Sequence, residues 1–506
     1  MQNFLSIYLN TNFFMIPEIF LLTGIMILFT FSILVNKTKK EILITNNLEH
    51  PLQLQTAINI IAILLIVLYI FILFNNPFIN FNLIYKGLPI VHINSYAIFL
   101  KYLITLTLLV VLFLYFNYFQ KEKLTNFEII ILMLFALFGM IITVTANNYL
   151  LLYLSIELQS LSFYILAAIK RNSILSTEAG LKYVILGAVS SGILLLGCAL
   201  TYGQTGSTFF DVQSQLLTFN ADSTMLIGLI CLSVAFFFKI GAAPFHMWVP
   251  DVYEGSPTII TTLFATVGKI PIFGILVYLF YHVYFNIFFE LKYLFITIGI
   301  ISIVIGAIGA LAQNNIKRLL AYSAILNVGY LILGFSMQTI EGLNNIFFFL
   351  IIYLIMNLNL FGILMSLRFK NDSRLLKNIY DLAGLGKTNP VLAFVFSLSI
   401  FSLIGIPPLA GFLGKLLILE TIVKAGFVPV AFLMVLVTIL AASYYLRLIK
   451  IMYFDTPTTP IEFEKIDFFS AIIFASFTLI IIFLLFNPNI LFYNISPFML
   501  ELFFTK

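Results

Sequence analysis

Residues 236–257 read FFFKIGAAPFHMWVPDVYEGSP, and the reading of the whole chain turns on this stretch. An apolar run long enough to cross a membrane carries a lysine, Lys239, and then meets Gly241 and Pro244, which interrupt a helix while it should still be buried. A cation at a helix break in lipid is costly. Charges placed there face a partner or a water-filled path, which points to ion or proton movement. The alternative is a lysine near the end of its span that snorkels to the interface. The window alone leaves both open.

Composition settles the class. Of 506 residues, 62% are hydrophobic and 9% charged, against roughly 25% charged in soluble domains. The mean hydropathy of +1.10 agrees, and the chain reads as an all-α polytopic membrane protein. A net charge of +5 is too small and scattered for nucleic-acid binding. Cys198 and Cys231 stand singly in apolar runs, with no CxxC and no histidine at ligand spacing, so they hold neither an iron–sulfur cluster nor a structural zinc by themselves. No glycine-rich nucleotide motif follows a strand pattern. The first residues carry no secretory or transit signature, which predicts insertion by the spans themselves.

At about twenty apolar residues per crossing, spans fall near 14–35, 55–76, 95–119, 127–146, 148–169, 178–202, 223–243, 258–285, 292–313, 318–337, 342–368, 389–424, 428–453 and 467–493. That is about fourteen. The polar connection 203–222 reads as a short lateral or hairpin element, and 369–388 as a loop. Loops after odd-numbered spans hold sixteen basic residues, against four on the other side (Lys86, Lys292, Lys424, Lys506). By the positive-inside rule the odd-numbered loops face inward and both termini outward.

Ile240-Gly241-Ala242-Ala243-Pro244 in the seventh span is echoed by Ile404-Gly405-Ile406-Pro407-Pro408 in the twelfth. An offset of five spans reverses direction, so the two units would be inverted copies, with sites expected at the interrupted helices. Four ionisable residues fall deep in spans: Glu157 in LLYLSIELQSLSFYIL, Lys239, Lys269 in FATVGKIPIFGIL, and Lys415 in GFLGKLLILE. One carboxylate and several buried lysines suit a proton relay, because desolvation discourages a lysine's charge and a nearby carboxylate restores it. For each lysine alone the alternative is a structural buried ion pair, and three lysines near the middle of successive or repeat-related spans favour the relay.

Around them, His246 is either a proton carrier or a satisfied loop histidine. Lys182 can pair with Glu178 one turn earlier or join the relay. Lys101 is expected to snorkel, Glu18 to pack against a neighbouring subunit, and Asp251 and Glu254 to be solvated acids. Asn357 and Asn359 are expected to bond between helices or hydrate a path.

The stretches STEAGLKYVILGAVSSGILLLG (176–197), FKIGAAPFHMWVPDVYEGSPT (238–258), IKRLLAYSAILNVGYLILGF (316–335), and GIPPLAGFLGK (405–415) followed by YYLRLIKIMYFDTP (444–457) resemble the antiporter-like subunits of respiratory complex I over nearly the full chain. The resemblance implies about fourteen transmembrane helices with two inverted five-helix repeats containing broken helices 7 and 12. The implied divisions are N-terminal helices 1–3 (1–126), a first repeat of helices 4–8 (127–285), a second of helices 9–13 (286–454), and a C-terminal helix 14 (455–506). It also implies a proton relay in which Glu157 pairs with Lys239 and the proton passes by Lys269 to Lys415. His246 matches the histidine of the family's PFHxW motif, while Pro244 and Pro408 mark the breaks. Asn327 departs from the pattern, standing where relatives often have histidine.

The function so implied is proton translocation in the membrane arm of NADH:ubiquinone oxidoreductase. Partners would be other membrane-arm subunits and lipids, without nucleic acid. This chain would bind no cofactor, and FMN, iron–sulfur clusters and ubiquinone would sit on partner subunits. The location implied is the mitochondrial inner membrane, with a bacterial plasma membrane as the alternative; abundant Phe, Ile, Asn and Tyr, encoded by A/T-rich codons, favour an organelle. A subunit of a secondary Na+/H+ antiporter is the other functional class, and it predicts a parent complex without NADH dehydrogenase activity.

Overall fold

Every regular element among the described residues is helical, because backbone polar groups in lipid must be satisfied within their own segment. The computed structural model describes residues 15–42, 50–75, 90–92, 94–122, 127–216, 223–370, 375–456 and 463–504. Lys86, Lys123, Arg374 and Lys506 lie outside them.

The first six crossings are α1 (Ile16–Ile42), α2 (His50–Phe74), α3 (Ser95–Glu122), α4 (Glu128–Thr145), α5 (Tyr149–Ala167) and α6 (Ile174–Thr205). A short helix, α7 (Phe210–Leu216), supplies the lateral element expected in 203–222. The seventh crossing divides into α8 (Ser223–Ile240) and α9 (Trp248–Gly255), and the eighth into α10 (Thr258–Ala265) and α11 (Lys269–Tyr278), which runs into a π-helical turn over Leu279–Val283. Then come α12 (Phe288–Leu311), α13 (Ile316–Phe335) and α14 (Ile340–Ser366). The twelfth crossing divides into α15 (Pro390–Ile404) and α16 (Ala410–Lys424), followed by α17 (Val428–Tyr453), α18 (Phe468–Phe486) and a separate α19 (Asn489–Phe504).

Among the described residues, thirteen helical stretches are long and apolar enough to cross a membrane, and the twelfth crossing is shared by two shorter helices. Two differences from the expected spans stand out. The eighth span is not continuous: Gly268, Pro271 and the turn at Thr266 interrupt it. Pro271 has no N–H to give a preceding turn and therefore sits in the first turn of a new helix. The C-terminal region holds two helices where one was expected, since Pro488 follows the end of α18.

Single crossings in alternation are legible from the loops. Backbone bridges join Val91 to Ala146 and Asn148 to Phe209, all in loops after even-numbered spans, and Asn315 to Asn378 and Phe369 to Phe463, all after odd-numbered ones. Side-chain contacts obey the same parity: Asn147 donates to Asp211 (2.8 Å) and Lys424 pairs with Glu341 (3.0 Å) on the even face, whereas Lys121 pairs with Glu464 (3.1 Å) on the odd face. The eighth crossing lies at the centre of the bundle, with its whole apolar window buried, while the windows of the first and fourteenth are only 28% buried.

Candidate functional site

The two breaks with the same sequence signature share a backbone geometry. Gly241 and Gly405 adopt φ of 78° and 89°, a region a Cβ disfavours. Three residues after each glycine comes a proline joined by a cis bond, Ala243–Pro244 and Pro407–Pro408. A helix that stops inside a bundle leaves its last carbonyls without intrahelical partners. At the seventh crossing these are met by the indole N–H of Trp248, which donates to Phe238 O (2.9 Å), and by the backbone N–H of Ala242, which donates to Phe237 O (2.9 Å). Ser302 of α12 receives the Ala243 N–H at 2.9 Å. At the twelfth, Lys415 reaches back from α16 and donates to Leu403 O and to Ile404 O (3.1 Å).

Lys239 occupies the last turn of α8, and its Nζ lies 3.4 Å from the Tyr164 hydroxyl. Glu157, Ser160 and Tyr164 line one face of α5 at i, i+3 and i+7. The Ser160 hydroxyl donates toward Glu157 Oε2 at 3.3 Å, and Glu157 Oε1 has no hydrogen-bond partner among the described residues. Glu157 and Lys239 thus interact across this short polar face without a direct ion pair. A cavity of about 20 Å3 beside them, large enough for one water, is lined by Gln159, Ser160, Tyr183, Lys239, Trp248 and Gly268. It extends from Lys239 to the residue preceding Lys269.

Lys269 opens α11, so its backbone lies at the electropositive end of that half-helix. Its Nζ donates to the Tyr353 hydroxyl at 3.0 Å. Lys239 and Lys415 both serve electronegative helix ends, those of α8 and α15. Between Lys269 and Lys415 runs a polar string of which sequence reading singled out only Asn327 on α13: Tyr353 on α14, Tyr445 on α17 with the Ser323 hydroxyl bonded to it, Asn327, and Tyr330, over whose ring Lys415 Nζ sits at 5.2 Å. No periodicity marks these residues, because nothing in an apolar helix shows which of its tyrosines faces a lysine on another helix.

The supporting residues distribute as follows. Pro244 and Pro408 are at the breaks. His246 is buried in the turn before α9, with its ring 6.4 Å from that of Tyr322. Lys182 pairs with Glu178 as its spacing predicts (2.7 Å), and also with Asp251 (2.7 Å). Asp251 and Glu254 are not merely solvated: Arg318 reaches them at 3.3 and 3.0 Å, and Asn315 donates to Glu254 at 2.9 Å. The short α9 is therefore tied to α6 on one side and α13 on the other. Asn359 bonds between helices to Ser399 (2.8 Å), whereas Asn357 returns to its own helix at Tyr353 O (2.8 Å).

Three further charges depart from expectation. Lys101 does not snorkel and Glu18 does not face outward, since they form an ion pair with both side chains 4% exposed. Arg368, read as a loop cation, is buried and pairs with Glu122 (2.9 Å), which also binds Lys170. Burial pushes the Glu122 carboxyl up, but the two cations outweigh it and hold the group below the usual carboxylate range.

Residues 146–441, more than half of the chain, match the family model described as "NADH:quinone oxidoreductase/Mrp antiporter, TM". The chain is 38% identical to NADH-ubiquinone oxidoreductase chain 2 of Marchantia polymorpha, covering 94% of this chain and 96% of that one. It is 40% identical to NADH-quinone oxidoreductase subunit N of Parvibaculum lavamentivorans over 73% of this chain and 76% of the relative. Among solved structures, a chain of respiratory complex I from Thermus thermophilus superposes with a TM-score of 0.73 at 26% identity, covering 93% of this chain and 98% of that one. A chain of the Mrp complex from Dietzia gives 0.75 at 18% identity over 97% of both, a likeness of fold alone.

Proposed function

Because the chain belongs to the NADH:quinone oxidoreductase/Mrp antiporter family of membrane subunits, we propose that it is a proton-translocating subunit of the membrane arm of an NADH:ubiquinone oxidoreductase. The observation that carries this reading is the row of lysines at helix breaks, half-buried Lys239 and buried Lys269 and Lys415, with hydroxyls and a water-sized cavity between them. Glu157 is the partner whose distance from Lys239 sets the state of that lysine. Close approach favours the ammonium, and separation leaves it in a low-dielectric interior where proton release is favoured. A tertiary ion pair of this kind is worth roughly 1–3 pK units, about 1.4–4 kcal/mol, enough to gate protonation. The proton would pass by way of the cavity to Lys269, and by the Tyr353, Tyr445 and Tyr330 string to Lys415. His246 and Lys182 support the seventh crossing, Lys182 through its hold on Asp251 of α9.

FMN, iron–sulfur clusters and ubiquinone belong, in this reading, to partner subunits, and lipid surrounds the outer spans. The two units divide as 127–285 and 286–454, inverted relative to each other, between N-terminal helices (1–126) and a C-terminal segment (455–506). The membrane is the mitochondrial inner membrane, with the lysine-rich odd-numbered loops in the matrix and both termini on the intermembrane-space side.

The test is Lys239→Met in the intact complex, with NADH:quinone turnover and proton pumping measured together in sealed vesicles. Loss of both with assembly preserved is expected. Normal values in assembled complex would remove Lys239 from the path and the mechanism with it.

A further inference from the structure

The relay leaves one buried group of titratable side chains unused, where the three N-terminal helices meet the end of the eighth crossing on the even-numbered face. Glu18, in the first turn of α1, and Lys101, about 9 Å into α3, form the buried ion pair described above. Glu18 Oε2 and the hydroxyl of Tyr69 on α2 have no hydrogen-bond partner among the described residues, although the two groups interact electrostatically. His92 precedes α3, held by its N–H to Thr145 O (2.9 Å), and is 9% exposed. Its ring stacks on Tyr278 at 4.1 Å, and Tyr278 stacks in turn on His282 at 5.1 Å. The Ala146 backbone is the polar neighbour of the His92 imidazole, and burial with the charges of His282 and Lys101 holds the group below the usual imidazole range. The other titratable groups facing this cluster are Tyr102 on α3, Asp211 on α7 and Glu501 on α19, which approaches Ser95.

A buried ion pair kept only for architecture would have its remaining lone pairs satisfied, because an unpartnered buried polar atom is costly. This one retains a free carboxylate oxygen beside a free phenol, and its Lys101 also acts on the His92 imidazole. Tyr278 and His282 lie on the helix that Lys269 opens, in the direction of the even-numbered face. We propose that Glu18, Lys101 and His92 form a second buried proton-binding cluster, through which protons pass between the end of the eighth crossing and the even-numbered face. The inference rests on the proton-translocating reading above. A proton in transit passes by the His92 imidazole and the Glu18 carboxylate, and burial with the charges of His282 and Lys101 keeps it from resting on His92.

The test uses Glu18→Gln, Lys101→Met, the double variant and His92→Phe in the intact complex, with NADH:quinone turnover and proton pumping measured in sealed vesicles beside Lys239→Met. The phenyl ring keeps the stack on Tyr278, so His92→Phe separates proton carriage from packing. The expected result is that both rates fall toward those of Lys239→Met in all four. Recovery of wild-type rates in the doubly neutral variant would make the pair structural and overturn the inference. Where the ion-pair variants fail to assemble, His92→Phe decides: lowered rates support the cluster, and wild-type rates remove it. Wild-type rates in Lys239→Met are a different failure, that of the relay itself.

Discussion

The seventh and twelfth crossings carry the same fault in the backbone and repair it by different chemistry. Each breaks at a glycine of positive φ three residues before a cis proline. Backbone N–H groups meet part of both severed ends, Ala242 donating to Phe237 O and Ile406 to Phe401 O. In the seventh an indole completes the cap, and Lys239 is left to face Tyr164, the Glu157 side of α5 and the cavity. In the twelfth the lysine itself completes it, with its ammonium on two carbonyls. The difference separates two duties of a buried lysine. Lys415 holds structure as well as charge, whereas Lys239 is relieved of structure by Trp248.

The largest effect that follows concerns Lys415→Met. Two charge-assisted bonds to buried carbonyls disappear at about 1.5–3 kcal/mol each, so the variant should lower the thermal stability of the assembled complex as well as its pumping. Lys239→Met should impair pumping with little change in the melting temperature, and equal melting losses for the two variants would break the comparison. Trp248→Phe keeps the stack on Tyr183, whose ring centroid is 4.5 Å away, and loses only the bond to Phe238 O. A cost of about 1 kcal/mol and a partial loss of proton pumping are expected in sealed vesicles. Pumping as poor as in Lys239→Met would mean that the cap of α8 matters as much as the lysine.

The smallest effect lies away from both breaks, at Glu122. Its folded carboxyl titrates below the ordinary range, so it contributes stability above the unfolded-state pKa and loses it as pH falls through the folded one. The melting-temperature gap between wild type and Glu122→Gln should therefore be widest near neutral pH and close on acidification.

Much of this was legible in the sequence for a physical reason: lipid permits few charges and few breaks, so Lys239, Lys269, Lys415, Gly241 and Pro244 announce themselves against an apolar background. The alternation of crossings followed from lysine placement in the loops. What was not legible depends on which face of a helix meets which neighbour. Tyr164, Tyr353 and Tyr330 are three of 25 tyrosines, and only packing distinguishes them. The interruption at Thr266–Gly268 had a signal in Gly268 and Pro271, but hydropathy is blind to a break between two apolar halves. Glu18 and Lys101 were misjudged because each sits near a span end, where a lone charge reaches water. Eighty-three residues apart, neither reveals the other.

The complete enclosure of the eighth crossing separates the lysine pathway from the bilayer's dimensions. A helix bordered by lipid tilts or shifts when the hydrocarbon layer thickens or thins, and α1 and α18, with most of their windows uncovered, are open to that adjustment. Lys269 rides on a helix that borders only protein. Acyl-chain length can thus reshape the rim of this subunit while the helix that carries Lys269 keeps its protein surroundings across membranes of different composition.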